Sequence, residues 1–492
     1  MSSTGPEPVE RVLLVHPPSN RVVRPDGERG LKACVPPLGL AYLAGVLRRS
    51  GFEVRVLDCV ALGYDDPEIE VEPDIFRYGL SDGAIAEAVA DFGPDLVGIT
   101  CPQAVRLPEA LAAARQVKAW SPEVPVVMGG AAVSALESDL FRHTDDVDMV
   151  VKGEGEGRLL DLLAALPGGK SELQKVDGLI YRDEGRVLAN PARVVIEDID
   201  ALPLPAWDLL PMETYFRVNR NPSVHAGAGR TCLMITSRGC PHRCYYCPVH
   251  NVFGPRGPRF RMRSIESVLS EIDLLTSRYG VEEIQFEDAN FNASIERTIA
   301  LSRAIGQAFP GLRWSTPHGN QTGTLTPAVM SAMRQGGCHA LHLAIESADQ
   351  DFLNRRKKTV RLSHMEGLIK RAKDMGFFVS TFFMIGFPED TPERIEATID
   401  YLGSLDVDDA HIFIAVPFPG TEMHRMCEAE NLLSPQASWR HFRYSWGVIR
   451  TEHFTPERLQ AYRRSGWQAF WRNQKTGSGI LNPSRHEREV YG

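Results

Sequence analysis

Thr236-Ser-Arg-Gly-Cys-Pro-His-Arg-Cys-Tyr-Tyr-Cys-Pro248 decides how this chain is read. The run Cys232–Ser237 is apolar and strand-like, so Cys240, Cys244 and Cys247 fall on the loop that leaves a strand. Three thiolates at C-x3-C-x2-C spacing can hold three irons of a [4Fe–4S] cubane and leave the fourth iron open. A structural zinc site needs a fourth ligand. His242 and His250 are near enough to supply one, but the strand context and the βα series that follows favour the cluster. The remaining cysteines (Cys34, Cys59, Cys101, Cys232, Cys338 and Cys427) are scattered, several in apolar runs, and read as small buried hydrophobes.

Working outward from this loop, strands are predicted at Glu283–Phe286, Leu312–Ser315, Ala340–Ile345, Phe378–Ile385 and His411–Val416. Helices such as Ile265–Tyr279 and Thr391–Leu402 fill the gaps. With the strand that leads into the cysteines this makes six βα units, a partial (β/α)6 barrel over residues 230–427. Upstream, Val12–His16, Glu53–Leu57, Asp95–Thr100, Val124–Met128 and Asp148–Val151 are short apolar strands alternating with helices at Leu38–Arg48, Ser81–Phe92 and Leu107–Ala119. That alternation predicts a doubly wound, Rossmann-like α/β domain over residues 1–168, with ligands at the carboxyl ends of its strands. No loop there is a G-x-G-x-x-G turn opening a helix, which disfavours a plain NAD site. Residues 169–229 read as a connector: a hairpin at Val176–Val187 around Asp183-Glu184-Gly185, then a Pro-rich acidic linker at 197–211. Residues 428–492 read as a helical C-terminal region with a polar end from Thr476.

A chain of 492 residues, 43% hydrophobic and 24% charged, has the balance of a globular protein of about three domains. No apolar run reaches the roughly 18 residues of a membrane span. The N-terminus shows no basic segment followed by an apolar one, so a cytoplasmic location is expected. The net charge of −9 argues against nucleic acid as the main partner. Basic stretches at Arg256–Arg263 and Arg355–Lys358 read as solvated faces or contacts to a small anion.

The cysteine loop, with Tyr246 as the aromatic of C-x3-C-x-(aromatic)-C, resembles the radical S-adenosylmethionine (SAM) superfamily, and the resemblance runs over roughly residues 230–420. It implies that the open iron binds the amine and carboxylate of SAM, and that one electron from the cluster cleaves the sulfonium to a 5′-deoxyadenosyl radical. By the same resemblance Phe286-Glu-Asp-Ala-Asn-Phe291 ends the second strand near the methionyl amine, with Asp288 a SAM contact, although the usual Gly-Gly-Glu is missing. Glu346 and Ser347 end the fourth strand, with Glu346 facing the ribose hydroxyls. Gly386 and Phe387, in Met384-Ile-Gly-Phe-Pro-Glu389, hold adenine through backbone. Tyr246 completes the implied SAM set.

The first domain carries a second resemblance, in Pro36-Pro-Leu-Gly-Leu-Ala-Tyr-Leu-Ala44, Val126-Val-Met-Gly-Gly130 and Val151-Lys-Gly-Glu-Gly-Glu156. Together these are similar to the cobalamin-binding domain of B12-type radical SAM enzymes. The resemblance implies cobalamin lined by Cys101, Pro102 and Gln103, by Gly129, Gly130 and Ala131, and by Gly153 and Glu154. There is no D-x-H-x-x-G, so no histidine of that motif is offered to cobalt.

A polar, sugar-like small molecule is the expected substrate, placed between the two domains. Glu287, Asp288, Asn290, Asn292, His318, Asn320 and Gln321 follow the second and third barrel strands, and Tyr215, Tyr444 and Trp446 are candidate walls. Of these, Tyr215, Glu287, Asp288 and His318 are the candidate catalytic groups. The implied activity is methyl transfer from methylcobalamin to a substrate carbon radical, with an electron donor such as flavodoxin or ferredoxin as partner. The competing readings are a radical rearrangement, cyclisation, dehydration or epimerisation, and an iron–sulfur/cobalamin sensor without SAM cleavage.

Overall fold

A computed structural model describes residues 9–23, 29–218, 229–253 and 260–473. They group into two compact units, one of residues 9–218 and 248–253, the other of 229–247 and 260–473.

The first unit is built on seven strands: β1 (Arg11–His16), β2 (Glu53–Asp58), β3 (Leu96–Thr100), β4 (Val126–Gly129), β5 (Met149–Val151), β6 (Leu179–Asp183) and β7 (Arg186–Ala189). Their order in the sheet is β7-β6-β5-β4-β3-β1-β2, with β1 to β5 parallel. Val12 to Val15 are almost wholly buried, as expected of a central strand covered on both faces. From β1 the chain runs first to β2 on one side and then to β3 on the other, so the topological switch lies between β1 and β3. Their carboxyl ends flank the crevice where such sheets take ligands.

Two readings change here. The hairpin taken as a connector is part of this sheet: β6 pairs antiparallel with β5, Met149 opposite Tyr181. Leu179, Ile180 and Tyr181 are buried by that pairing. Glu184 and Gly185 both have positive φ, 48° and 77°, the turn that matches strand twist in a two-residue hairpin. The Pro-rich stretch is packed rather than free. Ala206 N–H donates to Ala41 O at 2.9 Å, Trp207 is buried, and Gly45 leaves room for the Leu204 carbonyl, which would stand 2.8 Å from any Cβ there. A small antiparallel sheet joins Ser19–Val22, from the segment after β1, to Ile75–Tyr78 and Ile69–Glu72, from the segment between β2 and Ser81.

The second unit is a parallel arc of β8 (Thr231–Met234), β9 (Glu283–Phe286), β10 (Arg313–Ser315), β11 (Cys338–Glu346), β12 (Phe378–Ile385) and β13 (Asp409–Ile414), neighbouring one another in chain order. Phe286, Phe291 and Trp314 stack within 5.1–5.4 Å at its core. The tail is less helical than its composition suggests. Between Ala429 and Pro456 it is turns and bends with one short 3-10 helix at Trp439–His441, and the helix Pro456–Asn473 packs on the helix Pro392–Ser404 and on β13. The polar end from Thr476 and residues 256–259 of the Arg256–Arg263 stretch lie outside the described residues. No helix among the described residues is long and apolar enough to cross a membrane.

Candidate active site

The cysteine loop stands on a short ribbon, Ser237–Gly239 paired antiparallel with Phe260–Met262. Asp288, two residues past β9, clasps its base. Its oxygens accept the Thr236 N–H at 3.0 and 3.2 Å and the Thr236 hydroxyl at 2.9 Å, and the Ser237 hydroxyl donates to it too. Burial raises the Asp288 carboxyl above its ordinary range, against the pull of those donors and of Arg297. The candidate SAM and catalytic contact is therefore a fully enclosed carboxylate already engaged by the chain.

Cys240, Cys244 and Cys247 are partly exposed, whereas the other six cysteines are buried. Cys247 N–H closes a turn on Cys244 O at 3.1 Å, and the Asn290 amide lies 3.9 Å from Cys240 Sγ. Among the described residues no three His, Cys, Asp or Glu side chains converge as a single metal ion requires. A cubane asks instead for three thiolates each on its own iron, with hydrogen bonds to sulfur tuning it, and this loop fits that demand. His242, one of the two histidines considered for zinc, bonds to Gln321 at 2.9 Å.

Residues from the ends of β11 and β12, and from the segment that follows β11, gather beside this loop. The Tyr246 hydroxyl donates to Glu346 Oε1 at 3.2 Å, and Lys358 reaches the same oxygen at 2.8 Å. Phe387 packs on both loop tyrosines, at 6.0 Å from Tyr245 and 5.5 Å from Tyr246. Tyr245 donates to Glu389 at 3.0 Å, while Arg356 pairs with Glu389 and lies over the Tyr245 ring at 4.0 Å.

The backbone at these ends is unusual. Glu346 has φ 75°, a left-handed conformation that a non-glycine residue adopts at a cost and that concentrates at functional positions. Gly386 has φ 83°, and a Cβ there would stand 2.8 Å from Leu459. Its N–H and that of Phe387 both donate to Asp390 Oδ2, at 2.9 and 3.0 Å. Burial pushes the Asp390 carboxyl up to about 6 despite those donors and Arg394. Ser347 turns inward and accepts the Asp349 N–H at 3.1 Å.

Of the polar candidates, Asn292 and Gln321 clasp each other, the Asn292 amide donating to Gln321 O at 3.0 Å and Gln321 N–H to Asn292 Oδ1 at 2.9 Å. Asn290 also bonds to Gln321, and Asn320 to Thr316 and the His342 carbonyl. Glu287 and His318 form an ion pair, and the Glu287 charge holds His318 above its ordinary 6.5. Tyr444 packs between Phe413 and Phe418, and Trp446 on His441.

In the first unit, the loops after β3, β4 and β5 carry the residues expected to line cobalamin. Cys101 is buried and its N–H donates to Gly129 O at 2.7 Å. Gly130, at φ 110°, lets the Cys101 carbonyl approach to 2.7 Å of where a Cβ would be. Gly153 N–H is held by Ser134 Oγ at 2.9 Å, and Glu154 accepts the Ile196 N–H at 3.1 Å. Such bare, close-packed backbone at strand ends suits a large flat ligand.

The switch point also holds a buried chain of side chains that sequence reasoning missed. Asp58, closing β2, accepts from His16 Nδ1 at 2.9 Å and from the Tyr215 hydroxyl at 2.5 Å, and caps the next turn through Val60 and Ala61 N–H. With Nδ1 donating, the other ring nitrogen of His16 accepts from Arg106. Both faces of this imidazole are thus taken, and Tyr215, a candidate catalytic group, is one of its supports. Polar residues closing two adjacent apolar strands were the available signal.

A parallel arc with three cysteines on its first loop and, in the other unit, a doubly wound sheet open at its switch point together define a two-cofactor radical enzyme class. The family model described as Radical SAM superfamily matches residues 234–402, and that described as B12 binding domain matches residues 30–163. An uncharacterised methyltransferase of Pyrococcus horikoshii is 34% identical over 95% of this chain and 94% of its own. The cytidylyl-2-hydroxyethylphosphonate methyltransferase of Streptomyces wedmorensis is 31% identical, covering 89% of this chain and 86% of its own. The radical SAM methyltransferase TsrM of Kitasatospora setae shares the fold, with a TM-score of 0.69 at 20% identity over 98% of this chain and 92% of that one. This chain belongs to the cobalamin-dependent radical SAM methyltransferase family. Its cofactors are a [4Fe–4S] cluster, SAM and cobalamin.

Proposed function

We propose that the chain cleaves SAM reductively, draws a hydrogen atom from a polar small molecule, and methylates the carbon so exposed. When bound, the cluster supplies the electron and cobalamin the methyl group. The residues' part is to bind and orient. Cys240, Cys244 and Cys247 would hold the cluster, and Glu346, as a carboxylate accepting two hydroxyl protons, suits the ribose of SAM. Lys358 and Tyr246 hold that carboxylate aimed, and Asp390 fixes the Gly386–Phe387 backbone where adenine would lie.

The observation that carries this reading is the gathering of Glu346 and Phe387 on Tyr246 of the cysteine loop, each from an element a hundred or more residues further along the chain. The name of the Streptomyces relative supports an anionic, polar substrate, and the Glu287–His318 pair and the Asn and Gln residues after β9 and β10 suit such a molecule better than an apolar one. The test is anaerobic reconstitution with added cobalamin, counting iron, sulfide and cobalt and assaying for 5′-deoxyadenosine and S-adenosylhomocysteine. Both nucleoside products, lost together in Cys244→Ala, are the expected result. 5′-Deoxyadenosine without S-adenosylhomocysteine would replace methyl transfer by a radical rearrangement. SAM cleavage that survives Cys244→Ala would overturn the cluster assignment.

A further inference from the structure

Reductive cleavage consumes one electron per SAM, and a cavity in the second unit offers a place for its donor to dock. The cavity, of about 860 Å³, opens between the start of the helix Pro327–Gln335 and the start of the helix Met365–Asp374. Lys358, Arg361, His364 and Arg371 line it, with hydroxyls from Thr322 and Thr326, and no Asp or Glu is among its lining residues. Arg361 and Arg371 are exposed and make no ion pair among the described residues. Arg355 and Lys357, also exposed, are near neighbours of Lys358 in sequence. The rim therefore presents two arginines without an ion-pair partner among the described residues, on a chain whose net charge is −9.

The cavity is also wired to the cysteine loop. Lys358 stands in its wall and bonds to Glu346 at 2.8 Å, and Glu346 bonds to Tyr246 at 3.2 Å, the residue before Cys247. Two hydrogen bonds thus separate the basic surface from the backbone that carries the cluster ligand.

We propose that this basic cavity is the docking face for a small acidic electron-transfer protein carrying a low-potential flavin or iron–sulfur centre. The inference rests on the radical SAM reading above. The transfer itself moves one electron: the donor centre is oxidised by one, the cluster reduced by one, and no bond or proton changes. Exposed, unpaired arginines on an open rim steer and orient a charged partner more than they hold a small anion, which wants buried, hydrogen-bonded cations. An acidic donor would be repelled by the rest of this surface, so the patch would also fix its orientation.

The test uses full-length reconstituted enzyme and the double variants Arg361→Glu/Arg371→Glu and Arg361→Gln/Arg371→Gln. 5′-Deoxyadenosine formation is driven in parallel by saturating dithionite, by reduced flavodoxin and by a reduced two-[4Fe–4S] ferredoxin. The charge reversal is expected to raise the half-saturating concentration of a protein donor about tenfold at low salt, with the gap closing as salt rises and the glutamine pair falling between. Dithionite-driven turnover and iron content should stay within about twofold of the parent. Unchanged dependence on the protein donor would overturn the proposal. So would weaker substrate or SAM affinity under dithionite, which would mark a small-anion site instead. Failure of both protein donors to drive a parent enzyme that turns over with dithionite would also count against it. A parent inactive with dithionite would instead overturn the underlying radical SAM reading.

Discussion

Replacing Asp288 decides whether this carboxylate anchors the cysteine loop or serves SAM directly. Three donors converge on it: the Thr236 N–H, the Thr236 hydroxyl and the Ser237 hydroxyl. Asp288, Thr236 and Ser237 are at most 4% exposed, so Asp288→Ala strands those donors away from water. Each stranded donor costs about 1–3 kcal/mol. The lower figure applies, because holding Asp288 ionised in a buried site already offsets part of what its bonds contribute. The loss for alanine is then ~3 kcal/mol, and for Asp288→Asn, which keeps the shape and one acceptor oxygen, ~1 kcal/mol. At roughly 2–4 °C per kcal/mol for a unit of this size, the transition falls by ~6–12 °C in the first variant and ~2–4 °C in the second. A two-unit chain need not unfold in one step, so the assay follows the cluster's visible absorption through a thermal ramp beside far-UV circular dichroism. SAM binding is titrated well below the transition. The pH dependence has a definite sign. A carboxyl raised in the folded state contributes stability at low pH that is lost as pH climbs through its folded titration. Asparagine does not titrate, so the gap between Asp288→Asn and the parent should narrow as pH rises above the ordinary 3.8. An alanine variant with the parent's transition and iron content, yet more than about tenfold weaker SAM binding, would refute the anchoring argument.

The cysteines should divide sharply in reactivity: iodoacetamide at pH 8 on cluster-free protein should modify Cys240, Cys244 and Cys247 first. Cys34, Cys101 and Cys427, buried and pushed up to about 12, should react only after unfolding, and early labelling of Cys101 in a peptide map would contradict the sheet's packing. Tyr215→Phe removes a hydroxyl from a wholly buried carboxylate and should cost about 1.5–3 kcal/mol in denaturant unfolding of the first unit. Asp58 is held below its ordinary value, since His16 and Tyr215 outweigh the opposing effect of burial. Its contribution is therefore present above 3.8 and lost as pH falls through the depressed folded value, so the cost of Tyr215→Phe should shrink in acid. His318, kept charged by Glu287, should titrate above 6.5 in an NMR experiment and move down toward that value in Glu287→Gln. An unmoved titration would mean that the ion pair does not form in solution.

The cysteine loop and most of the strands were legible because each is a local signal: a spacing, or a short apolar run bounded by polar residues. Glu283–Phe286 and Phe378–Ile385 form with the bounds expected of them. Misplaced elements are those whose fate depends on a distant partner. A hairpin's own residues fix its turn, but nothing in Val176–Val187 says that the edge of β5 is free to receive it. The Pro-rich stretch looks like a linker until Gly45, some 160 residues earlier, is seen to make room for it. The same limit applies at the site. Glu346 was readable as a strand-end carboxylate, but its partners were not, because Tyr246 and Lys358 meet it only through the barrel's curvature.

Its backbone carries information that no periodicity could have supplied. A left-handed glutamate at the end of a nine-residue buried strand is costly, and glycine would relieve the strain. The chain keeps glutamate there and binds the side chain from both flanks. On the function proposed above, the carboxylate rather than the conformation is what that position supplies. This is the reason to expect Glu346→Gly to keep the fold and lose SAM, while a substitution at the equally left-handed Gly386 would strain the fold first, against Leu459.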